Sequence, residues 1–152
     1  MRTIRTLSLM DALDLQQHLL DTANGDGLKP VAICIVDATG AQLTAVTMDG
    51  TKVPSIQTAH DKAVTAVMFE RDTIEFCHRH CGDMWVPSGD LGWSSVDIAA
   101  ASKINDIFVP WGGGALIRSP HDDSILGAVG VSNRTEEEDH DLASSRPSGW
   151  AA

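Results

Sequence analysis

Basic residues are scarce in this sequence. Its 152 residues contain 11 Lys and Arg against 21 Asp and Glu, which gives a formal net charge of −10 at pH 7. The pI is about 4.8. An acidic surface of this kind repels phosphate backbones, so we expect no nucleic-acid partner.

Long apolar runs are also missing. No stretch approaches the roughly 20 apolar residues that a membrane helix needs, so we expect no membrane partner. Arg2 and Arg5 stand near the N-terminus, but no long apolar segment follows them, so we expect no signal peptide. The three cysteines are an odd number, which argues against a disulfide framework and favours free thiols in a cytoplasmic protein.

The composition that remains is that of a globular protein. The hydrophobic content of 43% is ordinary for a soluble domain, and the length is enough to bury one core. We predict a single domain over residues 1–143. Residues 144–152 read SSRPSGWAA and predict a flexible tail, in which Trp150 is the candidate anchor.

The spacing of apolar residues predicts alternating helices and strands. Residues 6–23 form an amphipathic pattern in which Leu9, Leu13 and Leu20 share a face. The run after Pro30 is apolar almost throughout, which indicates a strand buried on both faces. The other predicted elements are a strand over 42–48, a helix from Ser55 to about Arg71, strands over 107–109, 115–117 and 125–132, and a helix starting near Thr135.

Glycines gather in the last third of the chain. A triplet stands at 112–114, and Gly127 and Gly130 interrupt a strand pattern. Glycine inside a strand marks a bulge or a place where another backbone or a ligand comes close. Ser132 or Asn133 is suited to cap the helix that follows, and the acidic run over 136–141 is typical of a solvated helix start.

Residues 72–104 have the least regular pattern. Pro87, Gly89 and Gly92 indicate a loop over 82–93, and a short helix is predicted over 94–104. The predicted order is therefore α–β–β–α–loop–β–β–β–α. Hairpins at both ends indicate a largely antiparallel sheet flanked by helices, which is an α+β domain.

Three motifs, in order, resemble one protein family. The sequence VAICIVDATGAQLTAVTMDG is similar to a hairpin that ends in M-D-G, and SIQTAHDKAVTAVMF is similar to a helix in which A-x-x-K-A-x-T-A recurs. The third motif is the C-terminal signature GGGALI…ILGAVGVS…EEED. Together they resemble the family of GlcG, haem-binding HbpS and the C-terminal domain of PduO, also described as domain of unknown function 336. The resemblance covers about residues 9–76 and 107–143.

The resemblance implies a profilin-like α/β sandwich that assembles into homo-oligomers, often octamers. Members of the family bind haem or cobalamin-related ligands, or belong to small-molecule catabolic operons. A small-molecule ligand is therefore implied, with haem as the candidate cofactor. Family membership predicts the fold more strongly than the function, because different sites are built on one fold.

The helix motif carries two candidate site residues, His60 and Lys62. Asp49 of the M-D-G turn is expected near the start of that helix. His60 is suited to ligate haem iron or to act as an acid–base group, and Lys62 to hold a carboxylate or a haem propionate. In the alternative, Lys62 pairs with a carboxylate such as Asp49 to fix the hairpin, and His60 is simply exposed.

The glycine triplet is the candidate ligand-binding loop. Gly112, Gly113 and Gly114 are suited to present backbone N–H groups to an anion, and Trp111 would add a flat apolar wall. The alternative is a bulge that precedes a strand. The triplet is no nucleotide-binding fingerprint, because no strand–turn–helix surrounds it.

Two further histidine-containing features suggest metal binding. Cys77 to Cys81 places four ligand types within five residues, which suggests zinc. The backbone of so short a segment rarely aims four side chains at one ion, so a reactive or surface cluster is the alternative. His18 on the first helix is a second candidate iron ligand, although three aspartates on the same side are typical of a solvated face.

Three functions are compatible with these residues. The first is a haem- or tetrapyrrole-binding protein, with His60 or His18 on the iron and the glycine loop lining the pocket. The second is a cofactor-independent isomerase, lyase or hydrolase, acting on a small carboxylated or carbonyl compound. In that enzyme His60 is the base, Lys62 and the glycine amides stabilise an enolate-like charge, and Asp49 orients the lysine. The third is a structural accessory subunit.

Overall fold

The fold is an antiparallel sheet with helices on both faces. A computed structural model describes Met1, residues 3–76, the strands at 78–81 and 84–87, and residues 107–151. Its helices are α1 (Leu9–Gly25), α2 (Ser55–Phe69) and α3 (Glu136–Ser144), with a 3-10 turn at Thr73–Glu75. Its strands are β1 (Ala32–Asp37), β2 (Gln42–Thr47), β3 (His78–Cys81), β4 (Met84–Pro87), β5 (Gly114–Arg118) and β6 (Ile125–Ser132).

Four strands form the main sheet, in the order β2-β1-β6-β5. Every neighbouring pair in it is antiparallel. The predicted α+β class, with a largely antiparallel sheet flanked by helices, is therefore confirmed. Strands β3 and β4 form a separate hairpin, so the prediction of a loop beginning at residue 82 is wrong for residues 84–87. The helix predicted over 94–104 lies outside the described residues.

Strand β1 lies at the centre and is buried on both faces, as its unbroken apolar run predicts. Ile33 and Ile35 belong to a core shared with α1 and α3, whereas Cys34 and Val36 belong to a core shared with α2. Alternate side chains of a strand point to opposite faces, which is why one strand contributes to both cores. Among the described helices, α2 packs on one face of the sheet and α1 and α3 on the other, which gives three layers.

Helix α2 approaches the sheet closely because small residues meet at the contact. Ala59 and Ala63 are fully buried against β6. At Gly130 an added Cβ would overlap the carbonyl oxygen of Ala59, so the helix backbone lies directly on the strand. Gly130 was predicted as a point of close approach, and the structure shows that a helix packs there.

Helix α1 buries a different face from the predicted one. Its capping box, formed by Ser8 and Asp11, begins the helix at Leu9. Leu9 and Leu13 are 51% and 41% exposed. The buried residues are Ala12, Leu15, Leu19 and Ala23. Two alanines in this stripe bring the helix near the sheet. Of the predicted face, Leu20 packs partly buried against the core, and Leu9 and Leu13 stay on the outside. The homo-oligomer implied by the resemblance stays a prediction.

The strand predicted over 107–109 is absent from the described structure, because a side chain replaces the ladder there. The Thr65 hydroxyl donates to the Ile107 carbonyl at 3.2 Å and accepts from the Val109 N–H at 2.9 Å. Phe108 is buried against Phe69 and Phe76, with ring centroids 5.1 and 5.5 Å away. A backbone satisfied by a buried threonine needs no strand partner.

Helix α3 is capped by a residue other than those predicted. The Thr135 side chain accepts from the Glu138 N–H. Ser132 is instead the last residue of β6, and the Asn133 side chain donates to the Pro30 carbonyl at 2.7 Å. Asn133 also has φ of 109°, a conformation outside the extended region that a cap residue adopts.

The outer edge of β5 is covered by side chains. The Leu116 N–H donates to Asp72 at 2.8 Å, and the Leu116 carbonyl accepts from Arg146 at 3.3 Å.

Trp150 packs, partly buried, against the core on the α1 side. The flexibility of residues 144–152 stays a prediction. Among the described residues, no helix has the length and apolarity to cross a membrane.

Gly130→Ala tests the contact between α2 and β6. We expect a loss of at least about 1–3 kcal/mol in the free energy of unfolding, since an added methyl group overlaps backbone that cannot rotate away. Urea denaturation followed by circular dichroism measures it. Gly25→Ala is the control, because nothing lies within 4 Å of a Cβ there. Equal midpoints for the two variants would contradict the close approach.

Candidate functional site

An open cleft of about 800 Å³ lies where the start of α2 meets the start of α3. Ligand sites commonly have volumes of about 300–1,000 Å³. The lining comes from the segment before β1, the turn before α2, Trp111, and the end of β6 with the start of α3. Of the residues proposed from the sequence, Lys62 and Trp111 line this cleft.

The cleft combines apolar walls with positive charge. Trp111 and Leu28 are 36% and 48% exposed, and Pro54 adds a further apolar contact. Lys29 and Lys52 line the same opening and are both exposed. The carboxylates of Glu136, Glu138 and Asp139 line the cleft as well, so it carries charges of both signs beside exposed apolar side chains.

Lys62 lies at the base of the cleft in a buried ion pair. Its Nζ donates to Asp139 Oδ2 at 3.0 Å and to the Val131 carbonyl at 3.0 Å. The two side chains are 5% and 2% exposed. Helices α2 and α3 cover opposite faces of the sheet. The ion pair between Lys62 and Asp139 therefore connects the two faces beyond the end of β6. The Lys62 partner is therefore Asp139 rather than the carboxylate of Asp49.

Because Gly113 has no side chain, the ion pair can occupy the space beside it. Its φ is 126°, in the region that favours glycine. An added Cβ would lie 2.9 Å from Lys62 Nζ and 3.0 Å from the Cβ of Asp139, and would overlap the Val131 carbonyl oxygen. The glycine loop thus packs under the lysine and the aspartate.

The other two amides of the triplet bind groups of this chain. The Gly112 N–H donates to Glu136 Oε1 at 3.2 Å. The Gly114 N–H donates to the Thr73 hydroxyl at 2.8 Å, which fixes the start of β5. The triplet therefore already holds one carboxylate, that of Glu136, at the wall of the cleft.

Burial changes the electrostatics of both acids at the start of α3. Burial raises the pKa of Asp139, and the Lys62 ammonium and the Arg134 N–H oppose that rise. Burial also raises the pKa of Glu136, against the hydrogen bond from Gly112. The acidic run over 136–141 was predicted to be solvated, and this is wrong for Asp139. Asp139 lies three and four residues before the buried Leu142 and Ala143, a spacing that indicates the inner face of the helix.

His60 lies on the other flank of α2, away from the cleft-lining residues. Its Nδ1 is 2.8 Å from Asp61 Oδ1, and Gln57 donates to the same oxygen at 2.9 Å. An imidazole held by a carboxylate at one nitrogen is typical of metal-ligating or acid–base histidines. His60 and Lys62 therefore do not converge on one point.

The remaining proposed residues are also separate. Asp49 lines a shallow depression with Asn24, Thr47 and Met48. His18 Nε2 is 2.8 Å from the Ser145 hydroxyl, so that nitrogen already has a partner. The side chains of residues 77–81 lie outside the described part of the chain. Among the described residues, no group of three or more His, Cys, Asp or Glu is placed to hold a metal ion.

These features define a small α+β domain with an open, partly cationic cleft. The family described as haem degrading protein HbpS-like matches residues 7–146. The chain therefore belongs to the HbpS-like family, and the resemblance seen in the three motifs is confirmed. The comparison with curated proteins found no match for this chain.

Solved structures have the same fold. ORFY of Klebsiella pneumoniae is 24% identical, with a TM-score of 0.73, covering 94% of this chain and 89% of its own. A double mutant of HbpS from Streptomyces reticuli is 21% identical, with a TM-score of 0.71 and coverage of 94% and 86%. A complex of PduOC with heme is 29% identical, with a TM-score of 0.69 and coverage of 91% and 90%.

Breaking the buried ion pair is expected to destabilise the fold. Lys62→Met or Asp139→Leu should each lower the free energy of unfolding by about 3–5 kcal/mol, because each leaves one charge buried without its partner. The double variant should lose less than the sum of the two. Urea denaturation of all four proteins gives the coupling.

The exposed Arg118–Asp123 pair supplies the control, since both side chains are largely solvated. Arg118→Met should change stability little. Additive losses in the Lys62–Asp139 cycle would mean that the two side chains are not coupled.

Cys34 is expected to be unreactive in the folded protein. It is fully buried on β1. Burial, reinforced by the nearby Asp61, raises the pKa of its thiol to about 12. In a Cys77→Ser/Cys81→Ser background, Ellman's reagent should therefore detect no thiol at pH 8 under native conditions and one thiol in denaturant. Rapid labelling of the native protein would contradict the burial of Cys34.

Proposed function

We propose that this protein binds a tetrapyrrole, such as haem or a related carboxylated macrocycle, in the cleft between α2 and α3. One observation carries the proposal: Trp111 and the exposed amines of Lys29 and Lys52 line the same opening. A tetrapyrrole of this type has a flat apolar face and carboxylate side chains, so it matches both properties. Membership in the HbpS-like family and the heme complex of PduOC support the same ligand class.

The residues of the cleft fit the macrocycle. Trp111 and Leu28 offer apolar surface for its face. Lys29 and Lys52 would hold its propionates, and their flexible stems allow the ammonium groups to follow the carboxylates. In family members that carry haem, the iron supplies redox or oxygen chemistry when it is bound.

The described lining of the cleft includes no histidine, cysteine or methionine. His60 has the hydrogen bonding of a metal ligand, but it lies on the opposite flank of α2. We therefore propose that the macrocycle is held by its face and its propionates, and that binding does not depend on His60 or His18.

The alternative of an acid–base enzyme has less support. It requires His60, Lys62 and Asp49 to act on one substrate, yet they lie in three different places. Lys62 Nζ is also occupied by Asp139 and Val131. A small-molecule binding protein needs only the cleft.

Titration with haem and with iron-free protoporphyrin IX tests the proposal. We expect both to bind with similar affinity, because the contacts involve the macrocycle rather than the metal. Lys29→Glu and Lys52→Glu should each weaken both ligands by at least about fivefold, as the loss of an ion pair worth about 1 kcal/mol predicts. Absorbance titrations and quenching of tryptophan fluorescence measure the affinities.

Arg5→Glu changes charge by the same amount outside the cleft, where Arg5 pairs with Asp122, so it should leave binding unchanged. His60→Ala should also leave binding unchanged. If haem binds and protoporphyrin does not, and His60→Ala abolishes the haem absorbance change, the ligand binds at His60 and the cleft proposal is wrong.

A further inference from the structure

Glu136 occupies the position in the cleft where a ligand carboxylate would be expected. It is the first residue of α3 and lines the cleft together with Trp111. Its Oε1 accepts from the Gly112 N–H at 3.2 Å. The glycine loop thus presents an amide to the cleft wall, and the protein's own carboxylate lies on it.

This carboxylate is held loosely. Within the described part of the chain, the Gly112 N–H is the one hydrogen-bond donor to it. A length of 3.2 Å is at the long end for an N–H···O bond, and charge-assisted bonds are usually shorter. Asp139, in contrast, accepts from Lys62 at 3.0 Å and from the Arg134 N–H at 3.1 Å. Glu136 can leave its place without breaking an ion pair among these residues.

The first residue of α3 packs directly on the backbone at Gly112, which is buried beside the cleft. An added Cβ would lie 2.8 Å from the Glu136 carbonyl oxygen, so glycine is required where α3 packs on the loop. The Gly114 N–H is used inside the fold by Thr73. Gly112 is therefore the amide of the triplet that is seen to bind a carboxylate at the cleft.

We propose that Glu136 is a specificity-determining residue, whose carboxylate covers the Gly112 amide and is displaced by the carboxylate of the ligand. This inference rests on the proposed function for the place of binding. A ligand that carries a carboxylate replaces the bond that Glu136 loses, and it also removes a negative charge from the wall by moving Glu136 into solvent. A neutral ligand of the same shape offers no replacement for that bond.

A carboxylated ligand can bind the Gly112 amide only after Glu136 has left it. The apparent affinity is therefore the intrinsic affinity multiplied by the fraction of molecules in which Glu136 has already left. Removing the Glu136 carboxylate removes this competition. Because a hydrogen bond to a charged group has a modest net strength, we expect an improvement of roughly tenfold. Glu136→Gln, which keeps a weaker acceptor, should fall between wild type and Glu136→Ala.

Nuclear magnetic resonance of the ¹⁵N-labelled full chain tests the inference, with benzoate as the probe. Benzoate should shift the Gly112 amide resonance, and the concentration for half the shift should be roughly tenfold lower in Glu136→Ala than in wild type. Benzamide, the neutral isostere, should leave that resonance in place. The thermal midpoint of each variant checks that it is folded.

Glu138→Gln is the matched control, because Glu138 lines the same cleft on α3 and contacts Thr135 rather than Gly112. If Glu138→Gln and Glu136→Gln improve benzoate binding equally, the gain is general charge repulsion and the inference fails. It also fails if benzoate never shifts the Gly112 amide. Porphyrin binding and benzoate binding are measured separately. A chain that fails to bind porphyrin overturns the proposed function, and the benzoate titration still decides whether Glu136 competes for the Gly112 amide.

Discussion

The ion pair between Lys62 and Asp139 joins the parts of this molecule that packing alone keeps separate. Helix α2 lies on one face of the sheet and α3 on the other, with a separate core under each. The pair passes the end of β6, where Lys62 also donates to the Val131 carbonyl. Two buried charges are tolerated because each has its partner and further hydrogen bonds. Gly113 follows from this arrangement, since any side chain there would occupy the space of the lysine ammonium.

The cleft is a consequence of the same arrangement. Lys62 draws the start of α3 towards α2, and the turn before α2 and the segment before β1 close the other sides. Lys62 itself is committed to the fold by its ion pair, whereas Lys29 and Lys52 line the same cleft and are exposed. The glycine loop contributes to the fold as well, because Gly113 leaves room for the ion pair and the Gly112 N–H donates to Glu136.

Much of the fold was predictable from local patterns. The unbroken apolar run of β1 predicted burial on both faces, and the three motifs identified the family. The errors have physical causes. In α1 the apolar residues surround more of the helix than one face can bury, and Ala12 and Ala23 were not recognised as contact residues. At 107–109 the short apolar run indicated a strand, but Thr65, some 40 residues earlier, satisfies its backbone. No local pattern contains that information.

Local sequence patterns were enough to predict the charge of the surface, the elements with strong periodicity, the glycines at points of close approach, and the family. The sequence also contained two residues that line the cleft, Lys62 and Trp111. Which candidate residues lie close together became clear from the folded chain. It separated His60 from Lys62 on the two flanks of one helix and joined Lys62 to Asp139, 77 residues away. Pairing between distant residues depends on how helices cross a sheet, and that geometry is a property of the whole packed core rather than of any one segment.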